Sequence, residues 1–187
     1  HYNFFFNGEI KLNDIITGAK QAFRDDYTEL LPFYNYTLEA TAAQKTELDS
    51  VLQKCNAAIL LHDLRNEWID DMYFLMGKAY FFKDQMDSAG ITFQYLNYYF
   101  QPKKPEELGF KKFVGSNLND EGNVYNISTK ERKGVVQKVF SEPPRRNDAL
   151  VWLVRTFIED SAFGHASGLI QTLKRDEIFP ERLKPSF

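Results

Sequence analysis

Small residues set at fixed intervals between aromatic ones constrain this chain most. In Tyr73-x-x-Met76-Gly77-x-x-Tyr80, followed by Ala89-x-x-x-Phe93 and then Pro102, apolar side chains recur every three or four positions, the period of a helix face. The polar triplet Lys83-Asp84-Gln85 interrupts them, so the segment predicts a helix, a tight turn and a second helix. Gly77 and Ala89 are small enough for two antiparallel helices to approach closely, while Tyr73, Tyr80 and Phe93 fill the space toward a neighbouring pair. One such pair cannot bury its apolar face alone, so further pairs are expected along the chain.

The spacing overlays on the tetratricopeptide pattern of about 34 residues, with only the proline displaced by one position. An echo lies at the N-terminus, where Ala19-x-x-x-Phe23 precedes Pro32 by the interval that separates Phe93 from Pro102, placing 2–12 and 14–30 as a helix pair. A second echo runs from Leu150-x-x-Leu153-x-x-x-Phe157 into Ala166-x-x-x-Ile170, Leu173 and Pro180, with Val154 where glycine is expected. Between the first two pairs, Leu48, Val51, Leu52, Cys55, Ala58, Ile59 and His62 keep helical spacing, and Thr41-x-x-Gln44 has the form of a capping box, so a helix is predicted over 42–64. The expected fold class is all-α, an antiparallel helix-pair solenoid in a single domain over 1–187, with pairs at about 2–30, 42–83, 86–101 and 148–175.

Residues 103–146 break this pattern with Gly109, Gly115, Gly122, Gly134, Pro143 and Pro144, and read as an insertion between repeats. Val124 to Ser128 and Val135 to Phe140 have the composition of short strands, so the insertion is expected to be irregular with a small hairpin. It holds ten Lys/Arg against six Asp/Glu, whereas the rest of the chain holds thirteen against twenty. The overall net charge of −3 therefore conceals a basic middle. Lys130, Arg132, Lys133, Lys138, Arg145 and Arg146 form the cluster predicted to meet an acidic protein surface or lipid headgroups; an acidic chain without a nucleic-acid motif argues against nucleic acid. Aromatic residues make up 16% of the chain, and such side chains anchor interfaces as well as cores. Tyr98 and Tyr99 are the aromatic candidates for partner contact, with Tyr2, Phe5 and Tyr34 beside them.

Chemistry-bearing patterns are weak. His62 and Asp63 are adjacent, so on a helix they point about 100° apart, and no second histidine stands at a ligand spacing. Cys55 falls on an apolar face and reads as packing; as the one cysteine it excludes an internal disulfide. Asn117 to Gly122 imitates the start of a calcium loop, but Ser128 stands where the closing glutamate belongs. Asp25-Asp26 and Asp70-Asp71 lie near expected helix ends, where capping explains them. Asn35-Tyr36-Thr37 and Asn126-Ile127-Ser128 fit a glycosylation pattern too short to carry weight. No phosphate-binding glycine loop, nucleophile elbow or H-E-x-x-H occurs. No catalytic residue, metal or cofactor is expected, and the reading is a protein that binds proteins.

Several segments together go beyond a generic helix-pair repeat: His1-Tyr2-Asn3-Phe4-Phe5-Phe6-Asn7, Phe23-Arg24-Asp25-Asp26-Tyr27, Leu31-Pro32-Phe33-Tyr34-Asn35-Tyr36, Ile59 to Arg65, Leu75 to Phe81, Gly115-Ser116-Asn117 and Ile127 to Glu131. They resemble the N-terminal part of the PorW/SprE family, tetratricopeptide-bearing outer-membrane lipoproteins of type IX secretion and gliding motility. The resemblance implies a scaffold at the periplasmic face of the outer membrane, held by a lipid on a cysteine upstream of His1. Its partners would be the secretion translocon and the components of the motor and periplasmic ring. It supplies no catalytic residues. The chain opens without Met and reads as a piece of a longer precursor. The alternative with the same architecture is a tetratricopeptide lipoprotein of the outer-membrane β-barrel assembly machinery.

Overall fold

A computed structural model describes residues 2–28, 30–61, 68–100, 128–129, 131 and 145–186. It is all-α, and no strand forms among the described residues. The expected hairpin at 124–128 and 135–140 lies outside them, apart from Ser128. The chain divides into two compact units, residues 1–89 and 90–187.

The first unit contains α1 (Tyr2–Ala22), the short α2 (Leu38–Ala42), α3 (Lys45–Leu61), α4 (Ile69–Phe82) and the first turn of α5 (Met86–Tyr99). In α1, Phe5, Gly8, Leu12, Ile15 and Ala19 are buried at alternating spacings of three and four, one continuous face turned to α3 and α4. That face passes Asn13 without a change of phase. A single asparagine costs a helix only about 0.7 kcal/mol relative to alanine, less than one large buried side chain contributes, so the helix pair expected over 2–30 is one helix followed by non-helical chain. A Cβ on Gly8 would stand 2.9 Å from Leu75 Cδ2, so α1 and α4 are closely packed at Gly8. Lys11 and Glu47 join α1 to α3 at 2.5 Å.

Arg24 terminates α1, donating from its guanidinium to the carbonyls of Gln21 (3.0 Å) and Phe23 (2.9 Å), which have lost their helical partners. Thr37 Oγ1 accepts from the Ala40 N–H at 3.2 Å and caps α2. The capping box expected at Thr41 does not form. Thr41 is buried within α2, and its hydroxyl donates back to the Leu38 carbonyl at 2.9 Å. The helix predicted over 42–64 is therefore α3 alone, preceded by a separate turn of helix, and residues 62–67, His62 among them, lie outside the described residues. Leu48, Val51, Leu52, Cys55 and Ala58 are buried along it, as their spacing predicts.

Ala79, Phe81, Phe82, Met72 and Leu75 are all at most 2% exposed, so α4 is covered on most of its circumference. Tyr36 packs on Phe82 with ring centres 5.8 Å apart, bringing the chain back to the core after its exposed excursion.

The second unit contains the rest of α5, α6 (Arg146–Glu159), α7 (Phe163–Arg175) and a 3-10 helix (Glu181–Ser186). Phe93 and Leu96 of α5, Leu150 and Leu153 of α6, Leu169 and Leu173 of α7, and Phe179 form its core, all at most 2% exposed. Phe93 lies 6.2 Å from Trp152, and the ring of Trp152 also carries the Arg155 guanidinium at 4.9 Å.

The turns joining α4 to α5 and α6 to α7 are the same turn. Asp84 and Ser161 both take left-handed φ angles, 61° and 58°. The N–H of Gln85 donates to the Tyr80 carbonyl (2.9 Å) and that of Ala162 to Phe157 (2.8 Å), while those of Asp84 and Ser161 donate to Phe81 (3.0 Å) and Ile158 (3.1 Å). This is the paired closure of a Schellman cap. The next helix then starts identically, with Ala89 donating to Gln85 and Ala166 to Ala162.

Candidate protein-binding site

Of the basic candidates, Lys130, Arg132, Lys133 and Lys138 lie outside the described residues. Arg145 immediately precedes α6 and is half-buried. Arg146 corrects the expectation of a surface cation, for it is fully buried. Adjacent helical residues point about 100° apart, and here the second arginine turns inward. Its Nε donates to the Asn97 carbonyl at 2.7 Å and its guanidinium also donates to Thr129 Oγ1. Burial pushes its pKa down to about 10, so it remains a cation at neutral pH.

Tyr98 and Tyr99 are 58% and 45% exposed. With Ile91 and the half-buried Tyr95 they form one face of α5, opposite the buried Thr92, Phe93, Leu96 and Asn97. Tyr95 stacks on Tyr99 at 5.3 Å with the rings 13° apart, and Phe100 meets Tyr99 edge-on at 5.2 Å. Stacked rings lose little freedom on binding and present a rigid aromatic surface. Phe5, by contrast, is core, 5.9 Å from Trp68. The side chain of Tyr2 lies outside the described residues. A second apolar surface, in the first unit, is the non-helical chain after α1, where Tyr27, Leu30 and Phe33 are 82%, 98% and 92% exposed. In that stretch Asp26 accepts from the Thr28 hydroxyl (2.6 Å) and N–H (2.9 Å), which hold its carboxyl below the usual range. Tyr34, the remaining aromatic candidate, bridges Phe33 and Tyr36 at 5.0 and 5.5 Å.

A polar arrangement in the second unit was not legible in the sequence. Ser128 and Thr129, both buried, enter between α6, the end of α7 and the 3-10 helix. Asn147 Oδ1 accepts from the Thr129 N–H at 2.9 Å, and Asn147 Nδ2 donates to the Thr129 carbonyl at 2.8 Å and to Glu131 at 3.1 Å. The Ser128 hydroxyl donates to Asp176 Oδ2, whose other oxygen accepts from the Ile178 N–H at 2.9 Å. Arg182 lies between two carboxylates, donating to Glu131 at 2.7 and 3.0 Å and to Asp148 at 2.7 and 3.0 Å. Those bonds, Asp148's first and Glu131's next, hold the guanidinium above its ordinary pKa. Pairs of this kind are the geometry in which arginine recognises carboxylates most firmly.

Cys55 is fully buried, and desolvation pushes its thiol up to about 12, so no thiolate exists at neutral pH. Among the described residues no group of three His, Cys, Asp or Glu side chains gathers to hold a metal ion, and no helix is long and apolar enough to cross a membrane. No family model, no curated protein and no solved structure matches this chain.

Proposed function

We propose that this chain is a non-enzymatic scaffold built of tetratricopeptide-like helix pairs, and that it binds proteins at the periplasmic face of the outer membrane. In this reading it links the type IX secretion translocon to its motor and periplasmic ring, anchored by a lipid outside these residues. The observation that carries the repeat reading is the recurrence of one turn at Asp84 and Ser161, 77 residues apart. A repeat period of about 34 residues accounts for part of that interval; the remainder, about 43, is close to the length of the basic stretch 103–146. The same offset carries Tyr73, Met76, Gly77, Tyr80, Ala89 and Phe93 onto Leu150, Leu153, Val154, Phe157, Ala166 and Ile170. This recurrence supports reading the two as one helix pair repeated across an insertion.

The secretion role and the compartment rest on the resemblance of segments such as 1–7, 31–36 and 75–81 to the PorW/SprE family. Contact surfaces suited to such a role are the tyrosine face of α5 and the basic stretch that includes Lys130, Arg132, Lys133, Lys138 and Arg145. Capture of the tagged full-length protein from its native envelope tests the assignment. Recovery of translocon or ring components supports it. Recovery of a β-barrel insertase in their place assigns the chain to outer-membrane protein assembly instead.

A further inference from the structure

We propose that the cleft between the start of α6, the end of α7 and the 3-10 helix is a peptide-binding site, filled in this structure by the chain's own Ser128, Thr129 and Glu131. Its ligand class is an extended peptide with two adjacent hydroxyl residues and a carboxylate two positions after the second.

Three features set this cleft apart from an ordinary packed loop. First, Asn147 reads backbone. Its amide accepts from the Thr129 N–H and donates to the Thr129 carbonyl, at 2.9 and 2.8 Å, the exchange that a neighbouring strand would make. Such a pairing fixes the register of any extended chain whatever its side chains.

Second, the side chains are read by groups from three separate elements. Asp176, beyond α7, accepts from the Ser128 hydroxyl, and Arg146 of α6 donates to that of Thr129. Arg182 of the 3-10 helix takes Glu131 in a two-point contact.

Third, each of the three groups that read side chains is fixed by a bond that does not involve the occupant. Arg146 is held by the Asn97 carbonyl at 2.7 Å, Asp176 by the Ile178 N–H at 2.9 Å, and Arg182 by Asp148 at 2.7 and 3.0 Å. These three groups are therefore preorganised, and binding spends little on ordering them.

The occupant is joined to the site by chain on both sides, so it competes with an effective concentration on the order of millimolar. A free peptide gains access only when the tethered segment is weakened or withdrawn. The site thus carries its own inhibitor in Ser128, Thr129 and Glu131.

The test uses the full chain and a fluorescein-labelled peptide of its own residues 126–133, followed by anisotropy. In the Ser128→Gly/Thr129→Gly/Glu131→Gln variant the tethered segment is a poor competitor, and the peptide is expected to bind about tenfold or more tightly than it binds the unaltered chain. Adding Asn147→Leu to that variant is expected to abolish binding. Equal binding by the variant and the unaltered chain, or none by either, overturns the proposal. Should the variant lose helix content, circular dichroism becomes the readout: recovery of helix on adding peptide supports the site, and no recovery at millimolar peptide rejects it.

Discussion

Asp84 and Ser161 occupy the same position in two turns of the same geometry, each left-handed and each followed by the same helix-starting bond. Neither is glycine, although this is the position at which helices most often place one, because a Cβ in the left-handed region costs about 1 kcal/mol or more. Ser161→Gly is expected to stabilise the chain by about 0.5–1 kcal/mol and Ser161→Val to destabilise it by at least that much. Asp84→Gly should do the same to a smaller degree, since aspartate tolerates this conformation better than serine. Urea midpoints read all three, and a loss of stability in both glycine variants would contradict the shared-turn assignment.

Asn147 satisfies both backbone groups of a buried residue, Thr129. Asn147→Leu leaves a buried N–H and carbonyl without these bonds, and about 2–4 kcal/mol of stability should be lost. Hydrogen exchange localises the effect: the Thr129 amide should lose its protection while those of α3 and α4 keep theirs. Undiminished protection at Thr129 would show that the pairing does not exist in solution.

The Cys55 thiol gives a pH dependence of known sign. Its folded pKa is raised toward about 12 from an ordinary 9.0, so in alkali the folded protein retains a proton that the unfolded chain gives up. Its contribution is fully present below pH 9.0 and is lost as the pH rises toward 12. Cys55→Ala should therefore lose stability less steeply than the unaltered chain over that window. At pH 8 the native thiol should resist a disulfide reagent that modifies it readily once urea has unfolded the protein; rapid labelling of the native state would place Cys55 at the surface.

The helix faces were legible where burial follows one period. Leu48 to Ala58 and Leu150 to Leu173 fall on the faces their spacing predicts, and Lys83 to Gln85 form the turn that their polarity announces. The break expected between 12 and 14 rested on the echo at Ala19, Phe23 and Pro32, and left out the buried face of α1 that continues past Asn13. Thr41 misled because the capping pattern is local, and Thr37, four residues earlier, offers the same hydroxyl to an N–H that is free. The pairing of Thr129 with Asn147 had no signal at all. It joins residues far apart in sequence through backbone groups that every residue carries. Charge alone could not separate Arg145 from Arg146 either; only the rotation of the helix decides which of two adjacent arginines meets solvent.

Deleting 103–146 would remove Ser128, Thr129, Glu131 and Arg146 from the second unit, so it cannot test partner binding cleanly. Reversing Lys130, Arg132 and Lys133 to glutamate spares those bonds. The most direct measurement of the scaffold account is quantitative mass spectrometry of proteins captured from the native envelope by the full-length protein, with and without this reversal. The account predicts that translocon or ring components fall severalfold while helix content, followed by circular dichroism, stays the same; capture of the same components in undiminished amount by the reversed protein would contradict it.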